Sequence, residues 1–416
     1  MINKLKRWLY FPIAYYFRFF AQIQLSIWRP TIIVVTGSSG KTTLLHLIES
    51  QVQNRAKYSH LANSSFGIPF DILGLKRKNL TLDEWPYLFL AAPLMAFKKP
   101  FKEKLYVVEA DCDRPNEGRF LADLLKPEVT LWTNVGRTHT VNFDYLVKNQ
   151  KFSIVEQAIA HEFGYFLEFT NQLAIINGDS KLIAKELSRS KAKIKTINEK
   201  QLQKYKVFKD HTDFKINAKD YSIKALLPKE ASLSIQMTLF LLDFLKIELD
   251  SSFSKFILPP GRCNLFEGIK NTTIIDSSYN ATPDGVKSIL AMFEQYPNEK
   301  KWLVLGDMIE LGNEEQEEHE KLGELLMKMN LDKIILVGPR LSKYTKPQLK
   351  TAKSFIMPKE ALEYLLNNIK GEETILFKGA RFLEGIIEKL LIDKNDIEHL
   401  VRREKVWIDR RKKWGI

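Results

Sequence analysis

Short β-branched runs alternating with longer helix-like stretches dominate the pattern of this chain. Thr31–Thr36 (TIIVVT) is apolar, ends in a glycine-containing turn and runs into Lys41-Thr42-Thr43-Leu44-Leu45, which predicts strand, loop and helix in that order. Strands are predicted again at Leu105–Glu109, Val129–Thr133 and Leu173–Asn177, with helix-like stretches between them. A second cycle begins after Pro259-Pro260-Gly261, with strands at Thr273–Asp276, Trp302–Leu305, Lys333–Val337 and Thr374–Phe377 and a helix over Glu314–Met329. Such alternation implies an α/β fold built on mainly parallel sheets with helices on their faces. The boundaries read as an N-terminal segment (1–29), a larger α/β domain (30–255), a smaller α/β domain (256–400) and a tail (401–416).

Length agrees, since 416 residues exceed one ordinary core. The two cysteines, Cys112 and Cys263, form neither a disulfide framework nor a metal-ligand spacing, which favours a reducing cytoplasm. A net charge of +13 suits nucleic acid, anionic lipid or small anionic substrates. No nucleic-acid-binding module accompanies it, so no nucleic-acid partner is expected. Part of the excess lies in the tail, where Arg402, Arg403, Lys405, Arg410, Arg411, Lys412 and Lys413 interleave with Trp407 and Trp414.

At the other end, Lys4, Lys6 and Arg7 precede an aromatic-rich run from Trp8 to Trp28, interrupted by Pro12, Arg18, Gln22 and Gln24. It has no clean apolar stretch or small-residue cleavage site for a signal peptide, and the arginine in its middle opposes a membrane span. Two readings stand: an interfacial helix anchored by basic and aromatic residues, or a helix packed on the protein's own surface.

The candidate chemistry begins at Thr36-Gly37-Ser38-Ser39-Gly40-Lys41-Thr42-Thr43. A glycine loop between strand and helix turns backbone N–H groups toward an anion, and the helix N-terminus adds its positive end. The lysine reaches terminal phosphates and the first hydroxyl after it can hold magnesium. By itself this loop permits a nucleotide-hydrolysing switch, a kinase or a ligase.

Further blocks follow in order: Asn63-Ser64-Ser65-Phe66-Gly67-Ile68-Pro69, Glu109 closing a strand, Thr133-Asn134-Val135-Gly136-Arg137-Thr138-His139, and Asn177-Gly178-Asp179. Pro260-Gly261-Arg262, Asp276-Ser277-Ser278-Tyr279-Asn280-Ala281-Thr282-Pro283, Leu305–Gly312 (LGDMIELG) and Lys378-Gly379-Ala380-Arg381 complete the series. Together with the loop they resemble the Mur ligase family over roughly residues 30 to 390. The last three blocks are most similar to the branch that adds D-alanyl-D-alanine to a UDP-N-acetylmuramoyl-tripeptide.

The resemblance implies a P-loop central ATPase domain followed by a Rossmann-like ligase domain. It also implies an ATP-dependent reaction in which a carboxylate becomes an acyl phosphate and an amine then forms an amide. Gly37, Ser38, Ser39, Gly40, Lys41, Thr42 and Thr43 would bind ATP, together with Arg262, Asp276, Tyr279 and Asn280. Thr42 would hold one magnesium, and Glu109 and His139 a second; Lys41, Glu109 and His139 are candidate catalytic residues. Many family members carry a carbamylated lysine shortly after the histidine, for which Lys151 is the candidate and Lys148 the runner-up. Lys378 and Arg381 would bind the carboxylate of the amine donor, with Asp307 orienting it, while Glu310 reads as a surface charge. ATP contacts drawn from both domains imply hinge closure near residues 255–260.

Two departures from the family pattern bear on substrate. The nucleotide loop begins at residue 36, where peptidoglycan ligases first have a UDP-sugar-binding domain, so that domain is expected to be absent. Pro228–Gln236 stands where the family has a His/Asn-bearing adenine-pocket stretch. The leading expectation is a cytoplasmic ligase of cell-wall precursors, taking a small amine donor and a carboxylate acceptor. A peripheral place at the inner membrane face, through the N-terminus and basic tail, is a further expectation. The alternatives are a Mur-type ligase building poly-glutamate, cyanophycin or a pseudomurein-like polymer, and a non-catalytic nucleotide-binding scaffold.

Overall fold

The computed structural model describes residues 2–60 and 62–416, with side chains from Leu9 onward; the side chains of Lys4, Lys6, Arg7 and Trp8 lie outside those described. In chain order the strands are β1 (Thr31–Thr36), β2 (Ala56–Tyr58), β3 (Leu105–Ala110), β4 (Val129–Trp132), β5 (Leu173–Asn177), β6 (Lys193–Ile197), β7 (Leu202–Val207), β8 (Thr212–Ile216), β9 (Lys219–Ile223), β10 (Asn264–Gly268), β11 (Thr272–Ser277), β12 (Lys301–Gly306), β13 (Lys333–Val337), β14 (Lys353–Phe355) and β15 (Thr374–Lys378). The helices are α1 (Ile2–Trp28), α2 (Lys41–Val52), α3 (Gly67–Leu73), α4 (Trp85–Ala96), α5 (Glu117–Leu125), α6 (Asp144–Lys148), α7 (Val155–Phe169), α8 (Lys181–Glu186), α9 (Ala231–Leu245), α10 (Pro283–Gln295), α11 (Glu315–Leu326), α12 (Pro358–Asn368), α13 (Leu383–Leu390) and α14 (Lys405–Lys412). Every strand predicted from the pattern falls within a residue of an observed one. Two compact units result: residues 1–136, 145–199 and 233–249, and residues 137–144, 200–232 and 250–416.

The first unit is built on a sheet of order β2-β3-β1-β4-β5-β6, its neighbouring strands all parallel. β1 is buried along nearly its whole length, as expected of a central strand covered on both faces. Ile33, Val35, Val107, Leu131 and Ile175 form a core with Leu44, Ile48, Met237 and Leu241. Because β1 lies between β3 and β4, the loops leaving the carboxyl ends of all three strands converge, where open α/β sheets bind ligands.

Of the two readings for α1, the structure gives the packed one. Ala14, Phe17, Arg18, Ala21, Gln24 and Trp28 are buried. Arg18 donates to the Phe120 carbonyl at 3.0 Å and pairs with Asp123, and Trp28 donates to the Glu103 carbonyl at 2.7 Å. Among the described residues no helix is long and apolar enough to cross a membrane.

α5 and α7 approach so closely that a Cβ on Gly118 would meet the Glu162 carbonyl at 2.0 Å. The Glu162 carboxylate accepts from the N–H groups of Asn116 (2.8 Å) and Gly118 (3.1 Å) at the start of α5. Burial nevertheless pushes this carboxyl up to about 7, against those two bonds and with Glu117 adding repulsion. A carboxyl raised in the folded state favours folding fully below its ordinary value of 4.5 and loses that contribution as pH rises through about 7. The shift corresponds to about 3 kcal/mol. Thermal unfolding should therefore weaken between pH 4.5 and 7, and Glu162→Gln should flatten that dependence; an unchanged slope in the variant would assign it elsewhere.

The second unit contains a sheet of order β10-β11-β15-β12-β13-β14, parallel except for the β10–β11 pair. An antiparallel β7-β8-β9 meander belongs to it as well, and Val207 and Leu226 join the core of Leu290, Phe293, Leu303 and Leu336. Its alternating strands, such as TDFKI with burial on every second residue, carry the period-2 signal that the lysine content of 193–224 obscures. The tail is folded: α14 docks on α13, with Arg402 on Glu384 (3.2 Å) and Arg403 and Arg411 on Glu388 (2.9 and 3.1 Å).

Candidate active site

In the first unit the phosphate loop leaves β1 and enters α2. Gly37 has φ 127°, and a Cβ there would meet Thr133 Oγ1 at 2.3 Å and the Asn134 backbone at 2.9 Å, so only glycine fits. Gly40, at φ 78°, faces open space and precedes α2 with no side-chain cap on the helix N-terminus. Uncapped N–H groups beside an open cradle fit a nucleotide's phosphates.

The loop is held from β4. The Thr133 hydroxyl donates to the Ser39 carbonyl at 2.7 Å, and the Asn134 side chain brackets Ser39, accepting from its N–H at 2.8 Å and donating to its hydroxyl at 2.6 Å. The Ser38 hydroxyl and the Gly136 backbone exchange bonds at 2.9 and 3.2 Å. The Thr-Asn block thus serves as the brace of the loop. Thr42 and Thr43 are half-buried at the start of α2.

Lys41 is buried, donates to the Gly37 carbonyl at 2.6 Å and pairs with Asp111 at 2.7 Å. Burial alone would lower its pKa; Asp111, then Glu109, outweigh burial and leave the ammonium above its usual value. Glu109 and Asp111 sit at the end of β3 and just past it, with the Glu109 N–H donating to the Ser59 hydroxyl at 2.9 Å. Asp111, two residues after the predicted strand-end Glu109, is the partner of the loop lysine. Lys151 is exposed in the turn after α6 and lines a shallow depression with Val147, Phe152 and Gln157.

In the second unit, residues 137–144 pack on 310–318. Arg137 reaches Glu318 (2.6 Å) and Glu314 (2.9 Å), and the Asn313 N–H donates to Asp144 at 3.1 Å. His139 Nδ1 lies 2.6 Å from the Glu310 carboxylate. Both residues have positive φ, 52° and 65°, uncommon for side chains of this size. A carboxylate on one ring nitrogen fixes a histidine tautomer, so Glu310 is paired with His139 and is not a free surface charge. Its signal was the block LGDMIELG, but which loop it would face is a tertiary matter.

The adjacent ends of β11, β15 and β12 bring the remaining predicted residues together. Asp276 is paired in register with Phe377, and Lys378 with both Ser277 and Leu305. Lys378 is buried, donates to the Asn280 carbonyl at 2.8 Å, and is pulled down to about 8 by burial, then by Arg262, with Cys263 and Asp276 opposing. Burial raises the Asp276 carboxyl. Arg262 lies 4.3 Å over the Tyr279 ring, and Arg402 from the tail donates to the Ser278 and Tyr279 carbonyls.

Asp307, fully buried, takes Nε and Nη2 of Arg381 at 2.9 and 2.8 Å on one oxygen and the Leu341 N–H at 3.0 Å on the other. The geometry makes it an orienter of Arg381, and its bond from the Leu341 N–H also caps the short helical segment Leu341–Thr345. Arg381 can reach it because the two loops touch backbone to backbone: a Cβ on Gly306 would meet the Ala380 carbonyl at 1.9 Å.

Comparison with known proteins gives a consistent picture. The family model for the Mur ligase middle domain matches residues 35–240, and that for the Mur ligase glutamate ligase domain matches residues 261–381. The UDP-N-acetylmuramoyl-tripeptide–D-alanyl-D-alanine ligase of Buchnera aphidicola (subspecies Acyrthosiphon pisum) is 26% identical over 389 residues, covering 87% of this chain and 77% of its own. Among solved structures, the MurF ligase of Thermotoga maritima in complex with ADP superposes with a TM-score of 0.73 at 22% identity, over 92% of this chain and 84% of that one. A folylpolyglutamate synthase of Mycobacterium tuberculosis complexed with ADP and AMPPCP gives 0.60 at 12% identity, over 89% and 94%. At these identities the solved structures speak for the fold alone.

Proposed function

The chain belongs to the Mur ligase family, and from that premise we propose that it adds D-alanyl-D-alanine to the carboxylate of a cell-wall peptide precursor in the cytoplasm. Mur ligases are ATP-dependent enzymes that form amide bonds, and this chain is such a ligase. The choice of donor rests on one arrangement: Lys378 and Arg381 at the end of β15, with Arg381 held by Asp307 from the neighbouring end of β12. Two cations there suit the carboxylate of a small dipeptide, with the arginine offering planar recognition. Named relatives such as the Buchnera ligase support the same donor.

ATP with magnesium, when bound, supplies the phosphoryl group that converts the acceptor carboxylate to an acyl phosphate and offsets its charge. The chain's own share is positioning and charge. Loop N–H groups from Gly40 to Thr43 would cradle phosphate oxygens, Lys41 would bring a cation to them, and Thr42 would offer a hydroxyl to the metal, while the Ser38 and Ser39 N–H groups are spent on Asn134. Glu109, at the end of β3, would offer a carboxylate to a metal. In the second unit His139 would offer a ring nitrogen to a metal, its tautomer set by Glu310, and Arg262, Asp276, Tyr279 and Asn280 would form a nucleotide-facing block. Lys378 and Arg381 hold the donor so that its amine, once deprotonated, attacks the acyl carbon and phosphate leaves.

Phosphate release from ATP, measured across a panel of acceptors and amines, tests the reading. D-alanyl-D-alanine should stimulate release with a muramoyl-tripeptide acceptor. Stimulation by another amine alone would replace the donor, and bound ATP with no response to any amine would sink the ligase reading.

A second reading, a membrane-proximal acceptor, is favoured by α4. Its inner side is buried through Leu88, Ala91, Ala92 and Ala96, yet Tyr87, Leu90, Leu94 and Phe97 on the other side are 62%, 75%, 77% and 70% exposed. Exposed Lys98, Lys99, Lys102 and Lys104 follow directly. An apolar helix face with adjacent lysines fits the headgroup region of an anionic bilayer. The protein should sediment with vesicles containing phosphatidylglycerol, and Leu90→Glu/Leu94→Glu should abolish this; equal sedimentation of the variant would reject α4 as the contact.

A further inference from the structure

We propose that the first unit carries a divalent transition-metal site formed by His46, Glu49 and His60, separate from the residues assigned to nucleotide and magnesium. His46 and Glu49 lie one turn apart on α2 and so share a helix face, and His60 follows the end of β2, which runs alongside. Glu49 faces both rings: its Oε1 is 3.0 Å from His60 Nε2 and its Oε2 is 3.5 Å from His46 Nδ1. The three ligand atoms all lie within 4.8 Å of one another.

These distances suit a small cation. With bonds of about 2.0–2.1 Å and tetrahedral angles, ligand atoms stand about 3.3–3.4 Å apart and two ligating imidazole rings have centres about 5 Å apart. The His46 and His60 ring centres are 5.0 Å apart, and the two carboxylate–imidazole separations bracket the first figure. Tyr58, half-buried, stacks on His60 with centroids at 5.9 Å and donates to the Gln53 carbonyl, which limits the ring's freedom. Two imidazoles and one carboxylate select zinc, cobalt(II) or nickel(II) over magnesium or calcium, which prefer all-oxygen shells. His60 is 42% exposed at its side chain, so water can complete the coordination.

Occupancy would tie the second turn of α2 to the end of β2. The first turn of α2 carries Lys41 and Thr42, and Ser59, next to His60, accepts from the Glu109 N–H. A metal at this place braces the frame around the phosphate loop without touching a phosphate.

The test uses full-length protein stripped with chelator and titrated with cobalt(II) in the absence of nucleotide. One cobalt per chain should bind with visible absorption of an imidazole-ligated site and be displaced by zinc. His60→Gln, exposed and so harmless to the fold, and the isosteric Glu49→Gln should each weaken binding at least about tenfold. Zinc should raise the unfolding temperature of the wild type and leave that of His60→Gln unmoved. Absence of cobalt binding, or binding that survives both substitutions, would overturn the proposal.

Discussion

Lys41→Ala is expected to lower ATP-dependent amide formation about a hundred- to a thousandfold, the scale for removing one preorganised charge from a site where negative charge accumulates. The side chain is buried with Asp111 at 2.7 Å and the Gly37 carbonyl at 2.6 Å, so the substitution also strands a buried carboxylate. Breaking such a pair from one side costs about 3–5 kcal/mol, so lost activity could reflect lost fold. Asp111→Asn in the same chain separates the two. The double variant should recover most of the unfolding temperature and none of the activity, because the neutral amide needs no cation but the phosphates still do. Recovery of phosphate release in the double variant would remove Lys41 from the chemistry.

The next largest effect is expected at Asp307. Asp307→Ala removes the acceptor for Arg381 and for the Leu341 N–H and leaves Arg340, 3.6 Å away, without that counter-charge. Stranding the partly buried Arg381 guanidinium and the Leu341 N–H should appear as a lowered unfolding temperature. Arg381, at φ 77°, stands on strained backbone that these contacts help to fix. Freed from Asp307, its guanidinium no longer has one orientation. KM for the amine donor should therefore rise far more than KM for ATP, because Asp307 acts through Arg381 rather than on nucleotide. Equal changes in both constants would make Asp307 a purely structural residue.

His139 and Glu310 show how sequence and structure divide the information. The histidine was evident from its place in a block after a predicted strand, because strand ends are where α/β sheets put ligands. The carboxylate was legible only as a member of the LGDMIELG block and read as a surface charge, because the loop it faces is distant in sequence. Residues 137–144 and 310–318 are more than 160 positions apart, and their pairing follows from tertiary packing, which no local period encodes. The same holds for Asp111 beside Lys41 and for His60 beside Glu49.

By itself the sequence determined what depends on neighbours along the chain. Runs such as TIIVVT must be buried strands, glycines at 37 and 40 must turn the loop, and Lys-Thr-Thr must open a helix whose N-terminus attracts phosphate. It also ordered the blocks that resemble the Mur ligases. Only the tertiary structure decided which strand ends stand side by side, and hence that Asp307 grips Arg381 and Asp111 grips Lys41. It decided equally that the aromatic α1 is packed and that the lysine-rich β7–β9 meander joins the second core. Local periodicity fixes which face of an element is apolar, while the partner of that face or charge is set by the closure of long loops, in which distant residues compete for one site.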